Sequence, residues 1–357
     1  MDNFLFCEAL FRQHQLLGRS LPWRQVRDPY LVWLSEIMLQ QTTVKQAIPY
    51  YLRFVERFPD LASLAAAPQE EVLRLWQGLG YYSRARNLSA CAKELMSRFG
   101  GHFPETYEEW LSLPGVGPYT AAAVVSLAFN KAVPAIDANV ARVVSRLMAL
   151  KTPVGSPQFR RQATQWLKKI IPPEAPGRFN EALIDTGALV CLPREPQCDR
   201  CLLQPFCKAS QMGQQKEFPV KDLRPEKKSV WFHYAFFEWE GRIPLWKRPE
   251  RGIWGGFYDL PCIEANKPLA LEELRTAFSK VYELEGKNWK RLGKSMETLT
   301  HRRVHCVFYS LMPERYGRYE LVDRKEALRS WPLTKSALRC AKGENFGNFK
   351  SLPKFAI

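Results

Sequence analysis

Four of the nine cysteines, Cys191, Cys198, Cys201 and Cys207, are spaced C-x6-C-x2-C-x5-C, while the other five are scattered along the chain. Thiolates so close in sequence can converge on one centre, and four of them suit either a structural zinc or an iron–sulfur cluster. Zinc sites usually pair two short C-x2–4-C knuckles, a habit that the outer spacings of six and five break. Spacing alone points to metal ligation and leaves the metal open. A second candidate chemistry is a pair of carboxyl groups. Glu36 lies in the apolar string Trp33-Leu34-Ser35-Glu36-Ile37-Met38-Leu39 and shares a helix face with Gln40, and Asp137 lies in Ala135-Ile136-Asp137-Ala138-Asn139-Val140. A desolvated carboxyl keeps its proton towards neutral pH and can donate it, while an ionised partner stabilises a sugar cation. Together they can break a glycosidic bond through an oxocarbenium-like transition state. Plain readings compete with both assignments: an Asp opening a helix is an ordinary N-cap, and a helical Glu is ordinarily exposed.

A third string, Leu113-Pro114-Gly115-Val116-Gly117-Pro118-Tyr119-Thr120, precedes an almost wholly apolar segment, Ala121 to Phe129. Gly115 and Gly117 permit a tight turn, and the helix that follows presents unpaired N–H groups at its positive dipole end, a geometry suited to one phosphate.

These groups need elements to hold them. Up to about residue 211 apolar residues recur at helical spacing, as in Leu31, Leu34, Ile37 and Met38, so residues 1–211 are expected to form an all-α domain. Residues 212–229 are polar and without periodicity, and they read as a linker. Residues 230–357 carry strand-like aromatic and β-branched runs at Val230 to Trp239 and Val304 to Met312. A helical stretch, Leu271 to Leu284, lies between them, which predicts a smaller α+β domain. At 357 residues two domains are expected. Lys and Arg exceed Asp and Glu by 52 to 36, a net charge of +16, the footprint of a protein that meets a polyanion, nucleic acid foremost. The longest apolar run is far short of the roughly 20 residues that span a bilayer. The start, Met1-Asp2-Asn3-Phe4, has no basic n-region, so an intracellular, cytoplasmic chain is expected, with its cysteines reduced and no membrane partner.

The cysteine spacing and the L-P-G-V-G string, centred on residues 108–130, resemble the endonuclease III superfamily of helix-hairpin-helix DNA glycosylases. The strings Leu34-Ser-Glu-Ile-Met-Leu-Gln-Gln-Thr42, Gly78-Leu-Gly-Tyr-Tyr-Ser-Arg-Ala-Arg-Asn87 and Phe179-Asn-Glu-Ala-Leu-Ile-Asp-Thr-Gly-Ala188 are similar to its adenine DNA glycosylase (MutY) branch. The resemblance implies a [4Fe–4S] cluster on the four cysteines of the 191–207 loop and a monomer that binds double-stranded DNA containing adenine opposite 8-oxoguanine. It also implies hydrolysis of the adenine N-glycosidic bond. Glu36 would protonate adenine, Asp137 would stabilise the cation, Asn139 would orient these groups and Tyr119 would lie against the sugar. Gly115 and Gly117 would grip a DNA phosphate, Arg24 and Glu181 would contact the flipped adenine, and Gln41, Leu79 and Tyr81 would enter around the lesion. The string Leu245 to Pro261 is similar to the start of a Nudix-like domain, without the carboxylates that Nudix hydrolysis needs. In the family this domain recognises 8-oxoguanine through a loop whose counterpart here is Leu299-Thr300-His301.

Three positions refine the resemblance. Bifunctional superfamily members carry a lysine where this chain has Tyr119, and a phenol cannot form an imine, so monofunctional hydrolysis is expected. Ala138 stands where the family usually has glycine, and Leu299 stands in place of an aromatic residue. The rival readings are a pyrimidine-directed glycosylase-lyase, against which Tyr119 and the long second domain speak, and a non-catalytic damage-binding module, against which the two acids speak. His301 and His305 are four apart, a metal signature only on a helix, which is not predicted here.

Overall fold

The computed structural model describes residues 2–24, 26–220, 226–299, 301–315 (Arg315 by its backbone alone) and 317–344. The chain divides into two compact units, residues 1–67 with 87–224, and residues 68–86 with 225–357. The second unit thus recruits a stretch, 68–86, that its sequence neighbours would assign to the helical domain.

The first unit is all-helical. The helix Pro29–Leu39 starts where Asp28 accepts the N–H groups of Tyr30 and Leu31, with a proline in its first turn. Its Tyr30 and Val32 to Met38 are all buried, so it is enclosed on nearly every side. It packs against the helix Pro118–Leu127, whose Ala121, Ala122 and Ala123 let the two backbones approach. The expected helix-hairpin-helix is present: Tyr107–Leu111, a turn in which Val116 N–H donates to Leu113 O (3.2 Å), then Pro118–Leu127. The helix Ala138–Met148 begins on Asp137 and ends at Ala149 in a left-handed conformation. The helix Pro176–Asp185 runs directly into a wider π-helical turn, Thr186–Val190, which delivers Cys191.

The second unit is α+β. Its larger sheet has the order β4 (Cys262–Ala265), β1 (Lys228–Phe236), β6 (Arg302–Arg315), β5 (Glu285–Thr298), and a smaller sheet has the order β3 (Tyr258–Asp259), β2 (Arg242–Lys247), β7 (Glu320–Asp323). β1 runs parallel to β6, and the other pairs are antiparallel. Alternation along β1 sends Phe232, Tyr234 and Phe236 into one core, and sends Ala235 and the following Phe237 into another beneath the helix Leu271–Tyr282. The helix Gln69–Trp76 and the turn after it belong to this unit by contact. Glu70 pairs with Lys247 (2.7 Å), Gln77 donates to Leu333 O (3.0 Å), and the Tyr82 ring meets that of Phe257.

Candidate active site

A cavity of about 950 Å³ opens in the first unit. Among its lining residues are Arg24, Glu36, Gln41, Gly115, Gly117, Tyr119, Asp137, Asn139 and Glu181. Nine residues named from sequence are therefore brought together from five helical segments and the turns at Gln41 and at Gly115 to Gly117. Glu36 is only 6% exposed. Burial foremost pushes its carboxyl up from 4.5 to about 7; a hydrogen bond from the Tyr119 hydroxyl opposes this, and the nearby Asp137 charge adds to it. Burial also raises the Asp137 carboxyl, against the pull of Val140 N–H, the Asn139 amide and the Arg142 charge. Asp137 is an N-cap as the plain reading had it: Val140 N–H donates to Oδ1 at 2.7 Å. Its other oxygen, Oδ2, takes the Asn139 side-chain amide at 2.8 Å. The cap and the catalytic candidate are one residue. Ala138 occupies the first helical position, outside the left-handed region, so the backbone accepts its methyl group without strain.

Behind these groups lie residues that sequence reasoning missed. Arg142 donates to Asn139 Oδ1 (2.9 Å), Gly187 O (2.7 Å) and Cys191 O (2.7 Å). Gly187 has no room for a side chain, since an added Cβ would stand 2.6 Å from Asn139 Cβ. Asp185 grips Arg24 through Nη1 (2.7 Å) and Nη2 (3.1 Å) and Arg19 through Nε (2.8 Å). Burial would raise the Asp185 carboxyl, but a hydrogen bond with His14 and these cations hold it well below the usual carboxylate range. Arg24 Nε also meets Glu181 at 3.4 Å. The string that carries Glu181 also contains Asp185 and Gly187, and this was the only signal available.

The two glycines of the hairpin differ. Gly115 has φ 74°, and a Cβ on it would meet Asn87 Cβ at 2.4 Å, so the fold itself demands glycine there. Gly117 has an ordinary φ of −94°, and a Cβ on it would meet nothing within 4 Å. It caps the helix Pro118–Leu127, which opens on a proline, without a side-chain hydrogen bond, at the edge of the cavity.

The four cysteines of the loop are partly buried thiols. Burial pushes Cys201 up to about 12, and the charges of Cys191, Cys207 and Cys198 add to the rise, so the four sense one another. Arg146 Nη1 donates to Cys191 Sγ at 3.2 Å. Among the described residues no group of three or more His, Cys, Asp or Glu side chains stands where it could hold a metal ion. A four-iron cluster is held by thiolates spread around a cube rather than a point, and an all-sulfur set with neighbouring arginine charge fits that requirement.

In the second unit Tyr81 sits at φ 50° and 44% exposure, after Gly80 at φ 82°. Arg84 holds the turn through Gly80 O (3.0 Å). Tyr81 and His301 line one cavity of about 770 Å³ together with Leu299 and Trp254. Leu79, expected at the lesion, is instead buried in its own unit at 3% exposure and presents no side chain outward. Thr300 lies outside the described residues.

Comparison with known proteins places this arrangement. The profile of the HhH-GPD superfamily base excision DNA repair proteins matches residues 34–169. In solved structures the chain is similar to an endonuclease III–DNA complex, with TM-score 0.51 and 26% identity over 60% of this chain and 100% of that one. It is also similar to a thermostable thymine-DNA glycosylase, with TM-score 0.53 and 28% identity over 59% and 97%. The helical unit therefore defines a helix-hairpin-helix base-excision glycosylase. Among curated relatives the chain is 37% identical to the adenine DNA glycosylase of Buchnera aphidicola (subsp. Baizongia pistaciae), over 73% of this chain and 74% of the relative. It is 42% identical to that of Homo sapiens, over 56% and 38%. The chain belongs to the adenine DNA glycosylase family. Its superfamily is generally associated with iron–sulfur clusters. No helix among the described residues is long and apolar enough to cross a membrane.

Proposed function

We propose that this chain binds duplex DNA and hydrolyses the N-glycosidic bond of adenine mispaired with 8-oxoguanine or guanine, starting base excision repair. The observation that carries the reading is a buried, proton-retaining Glu36 sharing a cavity with Asp137. Glu36 donates its proton to the departing adenine, and Asp137, anchored by Val140 N–H and Asn139, faces the sugar as it becomes cationic. Tyr119 holds Glu36 through its hydroxyl and has no amine, so the strand stays intact until alkali or a second enzyme acts. Arg24 and Glu181 line the same cavity as receptors for the extruded base. Gln41, at φ 57° on the rim of this cavity, is the element that enters the helix there. Tyr81 and His301, on the cavity of the second unit, are the groups that meet the lesion, with Thr300 beside them in sequence. A DNA phosphate docks on the helix start beside Gly115 and Gly117. Cys191, Cys198, Cys201 and Cys207 would hold a [4Fe–4S] cluster, which when bound stiffens the loop after Val190. The protein acts as a monomer in the cytoplasm, on DNA.

The test is a labelled duplex with adenine opposite 8-oxoguanine, guanine or cytosine, incubated in enzyme excess and resolved before and after alkali. Adenine loss opposite 8-oxoguanine and guanine, with cleavage only after alkali, is expected. Strand nicking before alkali that borohydride traps as a covalent adduct would overturn the monofunctional assignment, and equal loss opposite cytosine would overturn mispair selection.

A further inference from the structure

On the second unit, the face of the larger sheet that the helix Leu271–Tyr282 covers at one end is left open at the other. β1 and β6 place Trp231 opposite His305 and Ala235 opposite Tyr309, while β5 places Arg291 opposite Tyr309 and Lys294 opposite Val307. The open end forms a cavity of about 570 Å³, lined among others by Trp231, His233, Arg291, Lys294, His305 and Tyr309. That volume lies in the range of small-ligand sites. None of the glycosylase groups lies on it, and among the described residues no acidic side chain lines it.

Three features together call for a particular ligand. Trp231 and His305 are stacked on one another, 4.7 Å between ring centres and 13° between planes, an aromatic pair against whose outer face a further ring can stack. Arg291 and Lys294 are exposed cations on the rim. His233 is 1% exposed, and its Nε2 accepts the Leu269 N–H at 3.4 Å, which puts the ring proton on Nδ1. Among the described residues that buried nitrogen has no partner. A buried donor without an acceptor costs stability that a ligand oxygen would restore. Aromatic pair, rim cations and buried donor match a planar ring carrying carbonyl oxygen, joined to phosphate.

We propose that this groove is a nucleotide-binding site separate from the glycosylase cavity. Its base stacks on the outer face of the Trp231–His305 pair, an oxygen of the base accepts from His233, and its phosphate meets Arg291 and Lys294. The same chemistry could come from a free nucleoside triphosphate or from an unpaired nucleotide of a DNA strand, and the experiment separates the two.

The full-length protein is titrated against fluorescently labelled dGTP by anisotropy, with unlabelled dGTP, inorganic tripolyphosphate and a short single-stranded oligothymidylate as competitors. Saturable binding is expected, displaced by dGTP better than by tripolyphosphate, and weakened about tenfold or more by the double variant Arg291→Ala/Lys294→Ala. Trp231→Ala should weaken it similarly, while Trp231→Phe retains most of the affinity. Both cations are exposed, so the double variant should keep the wild-type melting temperature and its single-turnover adenine release. Stronger displacement by the oligonucleotide than by dGTP assigns the site to a DNA strand, and the reverse assigns it to a free nucleotide. No saturable binding, equal binding to the double variant, or tripolyphosphate competing as well as dGTP would overturn the proposal.

Discussion

Replacing Glu36 with glutamine should make the helical unit more stable at neutral and alkaline pH while removing adenine release. Because the folded state holds this carboxyl at about 7 against an ordinary 4.5, the protonated form fits the fold and the ionised form does not. Wild type therefore has its full stability below pH 4.5 and loses it as pH rises through about 7. A displacement of that size corresponds to about 3 kcal/mol at pH 8, and to roughly none at pH 4. The glutamine amide has the shape of the neutral acid and carries no charge to bury, so the variant escapes the loss. For a unit of about 200 residues, 1 kcal/mol moves the melting temperature by about 2–4 °C, so the advantage at pH 8 is roughly 8 °C. Circular dichroism melts of both proteins from pH 4 to pH 8 read this directly. The gap between the two should open with rising pH. A gap that stays constant, or a variant that melts below wild type at pH 8, would refute the claim that Glu36 is held as an acid, whatever the variant does to activity. Single-turnover adenine release by wild type should fall above about pH 7, as the proton is lost.

Gly117→Ala should leave the melting temperature within experimental error, because its Cβ meets nothing, yet weaken duplex binding several-fold by crowding the approach of a phosphate; unchanged binding would remove the helix start as a DNA contact. Gly187→Ala forces a methyl group against Asn139 and should slow single-turnover release by at least about tenfold at saturating enzyme, with duplex affinity largely kept. The purified protein should absorb near about 400 nm, and Cys198→Ser should bleach that band in proportion to lost iron; a colourless wild type carrying zinc would replace the cluster with a single-ion site. Arg248 sits buried against Asp259 (3.1 Å) in the second unit, so Arg248→Ala strands a buried carboxylate and should cost about 3–5 kcal/mol, read by chemical denaturation.

Local features were legible in the sequence because local sequence causes them. The L-P-G-V-G string marked the turn between Tyr107–Leu111 and Pro118–Leu127, since positive φ at Gly115 is a backbone requirement written in one residue. The apolar surroundings of Glu36 foretold its burial, and the aromatic runs foretold β1 and β6. What escaped notice was either long-range or lacked a pattern. Asp185 clamps Arg24 across 161 residues, and Arg142 reaches Cys191 across 49, with no periodicity to reveal either. β5 is an edge strand of mostly charged and polar residues, and only its Leu292 is buried, so it carries no regular apolar alternation of the kind that announces a strand. The segment 68–86 reads as a helix and turn like its neighbours, and nothing in it signals that Glu70, Gln77 and Tyr82 are spoken for by residues near 247, 257 and 333.

The division of labour between the two acids follows from what each is given. Both are buried, and burial alone would leave both protonated. Asp137 receives a backbone N–H on one oxygen and an amide on the other, with Arg142 behind that amide, and all three favour the anion. Glu36 receives one phenol and the weaker pull of the Arg24 charge, inside a helix whose own N–H groups are committed to its backbone. A proton shared between the pair therefore rests on Glu36, and it does so because position 137 opens a helix while position 36 lies within one. Moving either acid by a turn would reverse or erase the asymmetry. The helix boundary at Ala138, set by an N-cap in the ordinary way, thus also determines which carboxyl is the donor and which the anion.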